Sequence, residues 1–409
     1  MELETIFDTA LGINAPWFVS EVKFDPMTKR LDLRIDFTKG ATFGFEQDGV
    51  IEQYKAYDTL EKEWRHLNFF EHECYLQARV PRIKTPDGKT HLIQPPWSGR
   101  QNGFTLLFEA FMLQLSKGMP VHQVALLVNI SDHKLWSILD KYVNEARKHN
   151  DHSTTTKIGM DETSIAKGHD YITLFVDLEK RKTIFVTEGK DNTTVAAFKK
   201  DFEEHNGKAA SVTDVSCDMS PAFIKGVKIN LPQAKITFDK FHIVKIINEG
   251  VDQVRRTEAK NNPLLKGSRY IFLKNEKNLT QAERDKKEEF SLSEINIESM
   301  LALNMRETFQ QIYAAPTQDI FIKLLTDWHE WVSKSELAPM LKVAKTIKNH
   351  WDGIVQWKKS QINNGILEGL NSVIQAAKRK ARGYKLEHFK TMVYLITGGL
   401  DFNKVNPAC

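Results

Sequence analysis

Cysteine is the first shortage in this chain. Of 409 residues only Cys74, Cys217 and Cys409 are cysteines, too few and too scattered for a disulfide framework, and none sits in a paired zinc-knuckle spacing. An excess of one charge is missing as well. Fifty-seven Lys and Arg against 53 Asp and Glu leave a net charge of +4, so a nucleic-acid partner is permitted but has to be argued from local clusters. No apolar run reaches the roughly 20 residues of a membrane span. The nearest, Phe104 to Leu115, is interrupted by Glu109 and Gln114. The start, Met1-Glu2-Leu3-Glu4, has no basic segment of the kind that opens a secretory signal. Together these absences predict a cytoplasmic protein with no membrane partner. Hydrophobic residues at 41% and charged residues at 27% are ordinary globular values, and the length suits two or three domains of about 150 residues each.

The first 95 residues read as a small β-rich module. Leu31, Leu33, Ile35 and Phe37 alternate, Val22 and Phe24 precede an Asp25-Pro26 turn signal, and Cys74, Leu76, Ala78 and Val80 alternate again. His66, His72, Cys74 and His91 match no paired metal-ligand pattern, so zinc is not expected here. Pro95-Pro96-Trp97-Ser98-Gly99 marks a linker into a helical segment over 96–150. There Phe104, Leu107, Phe108, Phe111, Met112 and Leu115 recur at helical spacing up to Gly118 and Pro120, and a second helix runs from Val121 to Val128. Asn129-Ile130 turns the chain, Ser131 caps, and a third helix follows from Lys134 to Ala146. Such a helix-turn-helix would offer His133, Lys134 and Ser137 to a DNA groove. The plainer reading is an α-hairpin in a small bundle.

From Lys157 the chain turns β-rich. Strands are predicted over Lys157–Ile165, Tyr171–Leu178 and Thr183–Thr187, separated by turn signals at Lys167-Gly168-His169 and Glu179-Lys180-Arg181. A helix over Thr193–His205, a strand over Val212–Asp218, a short helix opened by Ser220-Pro221 and a strand over Lys235–Asp239 follow. That order predicts an α/β, ribonuclease-H-like core in which the first and fourth strands are neighbours, so that Asp161 faces Asp218. Two carboxylates that close repel each other unless divalent cations lie between them, and oxygen ligands suit Mg²⁺ or Mn²⁺. The helix bearing Leu367, Leu370 and Ile374 would bring Glu368 to the rim of the core. Asp161, Asp218 and Glu368 are therefore the candidate catalytic and metal-holding residues, with His242 and Asn371 in support and Asp239 as the nearest rival, a supporting or substitute ligand; alternation sends Glu162 to the opposite face. The core is expected over 151–244 and 356–400, with a helical insertion over 245–355 in which Trp328 and Trp331 anchor the interior. Lys378, Arg379, Lys380, Arg382 and Lys385 form a dense basic cluster suited to phosphates, or else a cationic helix end.

These residues resemble a known family. Trp64-Arg65-His66-Leu67, Pro95-Pro96-Trp97, Ser131-Asp132-His133, Gly159-Met160-Asp161-Glu162-Thr163, Cys217-Asp218-Met219-Ser220-Pro221-Ala222-Phe223, Asp239-Lys240-Phe241-His242, Glu368-Gly369-Leu370-Asn371 and the closing Lys378-Arg379-Lys380-Ala381-Arg382-Gly383-Tyr384 are similar to the DDE transposases of bacterial insertion sequences, of the ISL-three type. The resemblance implies that Asp161, Asp218 and Glu368 form an acidic triad holding two Mg²⁺ or Mn²⁺ ions for DNA cleavage and strand transfer. It also implies that the front half binds terminal inverted repeats, that the partners are those repeats and target DNA, and that a homodimer works in a synaptic complex at the bacterial nucleoid. The family's N-terminal zinc ribbon has no counterpart: the stretches that should carry its knuckles read Phe45-Glu46-Gln47-Asp48-Gly49 and Thr85-Pro86-Asp87-Gly88. A transposase-derived DNA-binding protein without turnover, and a nuclease without strand transfer, are the alternatives.

Overall fold

The computed structural model describes residues 3–47, 49–100, 103–165, 171–292, 297–362 and 365–409. The turn signal Lys167-Gly168-His169 lies outside the described residues. The chain divides into two compact units: unit 1 comprises 1–150, 377–396 and 400–409, and unit 2 comprises 151–376 and 397–399.

Unit 1 begins with helix α1 (Leu3–Leu11), which no strand pattern announces, followed by β1 (Trp17–Asp25), β2 (Arg30–Phe37), β3 (Thr42–Gln47), β4 (Val50–Lys55), β5 (Asp58–Arg65), β6 (Glu73–Lys84) and β7 (Thr90–Leu92). The main sheet runs β1-β2-β6-β5 with β7 beside β6, and β3 pairs with β4 as a separate hairpin. The two alternating runs read from sequence meet face to face, since β2 and β6 pair in parallel with Leu33 opposite Leu76. Leu31, Leu33, Ile35, Leu76, Ala78 and Val80 are all buried. Of the two stretches where the family's zinc knuckles would fall, Phe45–Gln47 belongs to β3, with Gln47 paired to Val50, and in the other the Thr85 and Lys89 backbones close the turn around Gly88, whose φ of +84° favours glycine. His66 bonds the Thr105 hydroxyl at 2.8 Å, His91 lies against the Phe45 ring at 4.4 Å, and Cys74 is buried.

The helical half of unit 1 contains α2 (Leu106–Gly118), α3 (Val121–Leu127) and α4 (Asp132–Lys148). Thr105 caps α2 and Ser131 caps α4, each accepting from the backbone N–H three residues on. Between α3 and α4, Asn129 takes a left-handed φ of 55°, a conformation asparagine tolerates better than most residues. Leu135, Ile138, Leu139 and Tyr142 of α4 point inward.

Unit 2 opens with β8 (Lys157–Ser164), β9 (Tyr171–Asp177) and β10 (Lys182–Glu188), then α5 (Thr193–Glu204), β11 (Asp214–Cys217), α6 (Pro221–Asn230) and β12 (Lys235–Phe238). The sheet order is β10-β9-β8-β11-β12. β8, β9 and β10 are antiparallel to one another, and β11 pairs in parallel with both β8 and β12. Between β12 and the helix that bears Glu368 lie seven α-helices among the described residues: α7 (Lys240–Glu258), α8 (Arg269–Leu273), α9 (Gln281–Leu292), α10 (Glu298–Ile312), α11 (Gln318–Ser333), α12 (Ala338–Asn349) and α13 (Trp351–Ser360). α7 packs against α10 and α12, and α13 packs against β12, where Gly353 leaves room for the Phe238 ring. Of the two tryptophans expected in the interior, only Trp328 is there, donating to the Met305 carbonyl at 2.7 Å. Trp331 is surface-exposed, because the buried stripe of α11 runs through Phe321, Leu325, Trp328 and Val332 and passes it by.

Next come α14 (Gly365–Lys380) and α15 (Leu386–Thr397). The stretch 356–400 was expected to stay with the core, but residues 377–396 cluster with unit 1. The contacts explain why: Thr391 donates to Asp140 at 2.6 Å, the Arg147 guanidinium lies 4.1 Å over the Tyr394 ring, and His388 stacks on Trp136 at 3.8 Å.

Candidate active site

In unit 2 β11 lies in parallel between β8 and β12; β11 and β12 end together, while β8 runs on to Ser164. Ser216 is opposite Gly159 and Cys217 opposite Phe238. Continued two residues along β8 and β11, that register sets Asp218 level with Asp161; continued one residue along β12, it sets Asp239 level with Asp218. Asp239 is tied in by its N–H to the Cys217 carbonyl at 3.1 Å. The ends of parallel strands are where α/β sheets offer a crevice to ligands.

Helix α14 runs alongside β8, and its spacing matches the strand's. Four helical residues advance ~6 Å and two strand residues ~6.6 Å, so Gly159, Asp161 and Thr163 on one face of β8 can meet Leu367 and Asn371 in step. They do. A Cβ on Gly159 would come within 2.9 Å of Leu367, which packs with Val176, Leu178 and Ile362. The Asn371 side chain bridges the next two positions: its amide N–H donates to Asp161 Oδ2, and its carbonyl accepts from the Thr163 hydroxyl at 2.6 Å. Gln375 reaches the Ser164 carbonyl at 3.3 Å. Leu367 thus seats the turn that carries Glu368.

The carboxylates feel one another. Burial pushes Asp161 up to about 6, with the charges of Asp239 and Asp218 adding to the rise and the Glu162 N–H and His242 opposing it. Glu368 is raised by burial and then by Asp239, with His242 opposing. His242 is itself raised, chiefly by its 3.1 Å contact with Asp239, and then by the charges of Asp239, Asp218 and Asp161. The structure therefore draws Asp161, Asp218, Asp239, His242, Glu368 and Asn371 into one electrostatic neighbourhood. Glu162 belongs to it too: although on the other side of the strand, it is half-buried and raised by burial and by Asp218 and Asp161. Alternation separates Glu162 from Asp161 in direction but not in field. Thr163 and Gly159, which sequence reasoning passed over, were legible as the i+2 and i−2 neighbours of Asp161 on its own face.

Among the described residues no three His, Cys, Asp or Glu side chains stand close enough to hold a metal ion. The donor set still fits a hard divalent cation by its chemistry: Asp161 and Glu368 are raised first by burial and then by neighbouring carboxylate charge, and a bound cation relieves both.

In unit 1, the DNA-contact candidates His133, Lys134 and Ser137 lie on the exposed first turns of α4. Lys378, Arg379 and Lys380 form the last turn of α14, and Arg382 follows in a left-handed conformation while the Gly383 N–H returns to the Lys378 carbonyl at 3.1 Å. Lys385 precedes α15. Trp136 of α4 touches both Tyr384 and His388, so the basic cluster and the helix-turn-helix share one compact unit.

Residues 158–393 match a protein-family model described as "Transposase", and residues 93–143 match the helix-turn-helix domain of transposase family ISL3. The chain belongs to the ISL3 family of DDE transposases. This transposase is 26% identical over 345 residues to the transposase for insertion sequence element IS1001 of Bordetella parapertussis, covering 82% of this chain and 84% of that one. It is 23% identical over 354 residues to the transposase for IS1557 of Mycobacterium tuberculosis, covering 79% and 78%. The helix-turn-helix and DDE domains make the transposase a DNA-binding enzyme, and DDE domains in general use divalent metal. No helix among the described residues is long and apolar enough to cross a membrane.

Proposed function

We propose that the transposase cuts the ends of its insertion element and joins them to target DNA at one site, formed by Asp161, Asp218 and Glu368 on a ribonuclease-H-like core. The observation that supports this reading is the adjacency of β8 and β11, with Asp161 and Asp218 within electrostatic reach of each other, together with the packing of α14 on β8 through Leu367 and Asn371. The sheet order, with its first and fourth strands adjacent, supports the choice of fold.

These three carboxylates are the residues that would hold two Mg²⁺ or Mn²⁺ ions, which supply Lewis acidity and an activated water or 3′-hydroxyl for in-line attack on a phosphodiester. The protein's own part is placement. Asn371 fixes one oxygen of Asp161. Asp239 and His242 balance charge beside the triad, the ring of His242 drawn toward its protonated form by the carboxylates around it. His133, Lys134 and Ser137 contact the terminal repeats, and Lys378, Arg379, Lys380, Arg382 and Lys385 hold DNA phosphates through charge and counterion release. Two copies acting on paired ends in a synaptic complex complete the reading.

The test is Asp161→Ala with a labelled element end and a second duplex. Cleavage and joining should both disappear while DNA binding persists; undiminished joining by the variant would sink the assignment, and cleavage without joining by the wild type would reduce the protein to a nuclease.

A further inference from the structure

A cavity of about 630 Å³ in unit 2 adjoins Asp239 and runs between the start of α7 and the end of α13. Its volume falls within the roughly 300–1,000 Å³ typical of small-molecule sites. Two features of its lining are unfinished. Lys240 and Lys358 are both only half exposed, and among the described residues neither has a carboxylate partner. Positive charge held in a partly enclosed lining without an anion is one that a ligand anion can pair with. Lys240 meanwhile rests over the rings of Tyr313, at 4.5 Å, and Trp357, at 5.8 Å. The second feature is Phe241, which follows Asp239 by two residues and leaves 58% of its surface in solvent at the cavity wall. An exposed Phe241 ring and a half-buried Trp357 in one lining suit a flat group, and the amides of Asn275, Gln310 and Gln361 line the same space with donors and acceptors.

Anion, flat ring and polar edge together describe a nucleotide. We propose that this cavity takes one unpaired nucleotide of the DNA strand being processed, its base on Phe241 and its phosphate toward Lys240 and Lys358. The strand source is favoured over a free nucleotide because the cavity shares Asp239 with the acidic cluster, so a strand whose phosphate lies at the triad passes its mouth. A nucleotide drawn from a duplex costs the energy of unpairing, least where the base is already unpaired, and stacking on an aromatic ring offsets that cost. This inference rests on the site assigned under Proposed function, and the experiment separates the two.

The probes are a short blunt duplex, the same duplex with one unpaired adenosine near its end, and free dAMP as competitor, with binding measured without divalent cation. Wild type should prefer the unpaired duplex by about tenfold, the scale of one aromatic stacking contact. Phe241→Ala should erase that preference, and Phe241→Tyr should keep it. In the presence of Mg²⁺, cleavage of the blunt end should fall in Phe241→Ala and recover when the adenosine is unpaired, a rescue that a folding defect would not allow. A preference that survives Phe241→Ala, or none in the wild type, overturns the inference. Saturation of the site by dAMP with the same Phe241 dependence assigns it to a free nucleotide and likewise overturns it. If the preference is present and Phe241-dependent while no variant or wild type ever cuts DNA, the catalytic reading fails and the nucleotide site stands.

Discussion

Asn371 offers a sharp perturbation of the acidic site, because its one side-chain amide makes two bonds from helix to strand. Asn371→Leu keeps the side chain's approximate size and removes both bonds at once: Asp161 Oδ2 loses its amide donor and the Thr163 hydroxyl loses its acceptor. A hydrogen bond to a charged group is worth ~1.5–3 kcal/mol, and losing the partner that orients a metal-binding carboxylate typically costs about 10–100-fold in metal affinity or activity. With its donor gone, Asp161, already raised to about 6 chiefly by burial, is raised further and competes less well for a cation. The expected result is a Mg²⁺ requirement raised about tenfold or more, a cleavage rate reduced about 10–100-fold, and DNA affinity within about twofold of wild type. Thr163→Val removes only the neutral half of the bridge and should cost about fivefold, the equivalent of ~1 kcal/mol. Cleavage titrated against Mg²⁺, beside a DNA-binding isotherm, reads all of these. Wild-type rate and Mg²⁺ dependence in Asn371→Leu would refute the idea that α14 positions Asp161.

Three further outcomes are expected. Burial holds His66 down to about 4 from 6.5, so the folded state keeps it neutral while the unfolded chain binds a proton below about pH 6.5; stability should fall from about pH 6.5 toward pH 4, by up to about 2 kcal/mol at pH 5 and less with solvent screening of this half-buried ring, and urea unfolding of His66→Gln at pH 7 and pH 5 should show a flatter slope. Gly159→Val drives a side chain into Leu178 and Leu367, both within 3 Å of where a Cβ would sit; it should cost ~1–3 kcal/mol in denaturant melts and cleavage as well, since the displaced helix carries Glu368. Lys134→Ala should weaken DNA binding evenly across sequences and lower the salt slope by about one; an unchanged slope would remove Lys134 from the phosphate contacts.

The parts of this chain that sequence made legible are those governed by short-range pattern. Alternation announced β2 and β6, capping placed the start of α4 at Ser131, and strand order put β8 beside β11. Glu368 was reachable only as the acidic residue beside an apolar stripe, because the seven helices between β12 and α14 hide the register that matches Leu367 to Gly159. Helix α1 was missed because its nine residues carry too short an apolar face to stand out. Trp331 was misplaced because a tryptophan-rich helix does not declare which of two neighbouring ring positions falls on its buried stripe. The attachment of residues 377–396 to unit 1 depends on Trp136, His388, Asp140 and Thr391, contacts spanning some 250 residues of sequence that no local pattern encodes.

One measurement tests the shared acidic site most directly: incubation of a labelled element end and a target duplex with Mg²⁺ and either wild type or Asp218→Ala. Wild type should release a free 3′ end and join it to the target only when the cation is present, and Asp218→Ala should bind both DNAs yet do neither. Joining by Asp218→Ala at the wild-type rate, or by wild type in excess chelator, would contradict it.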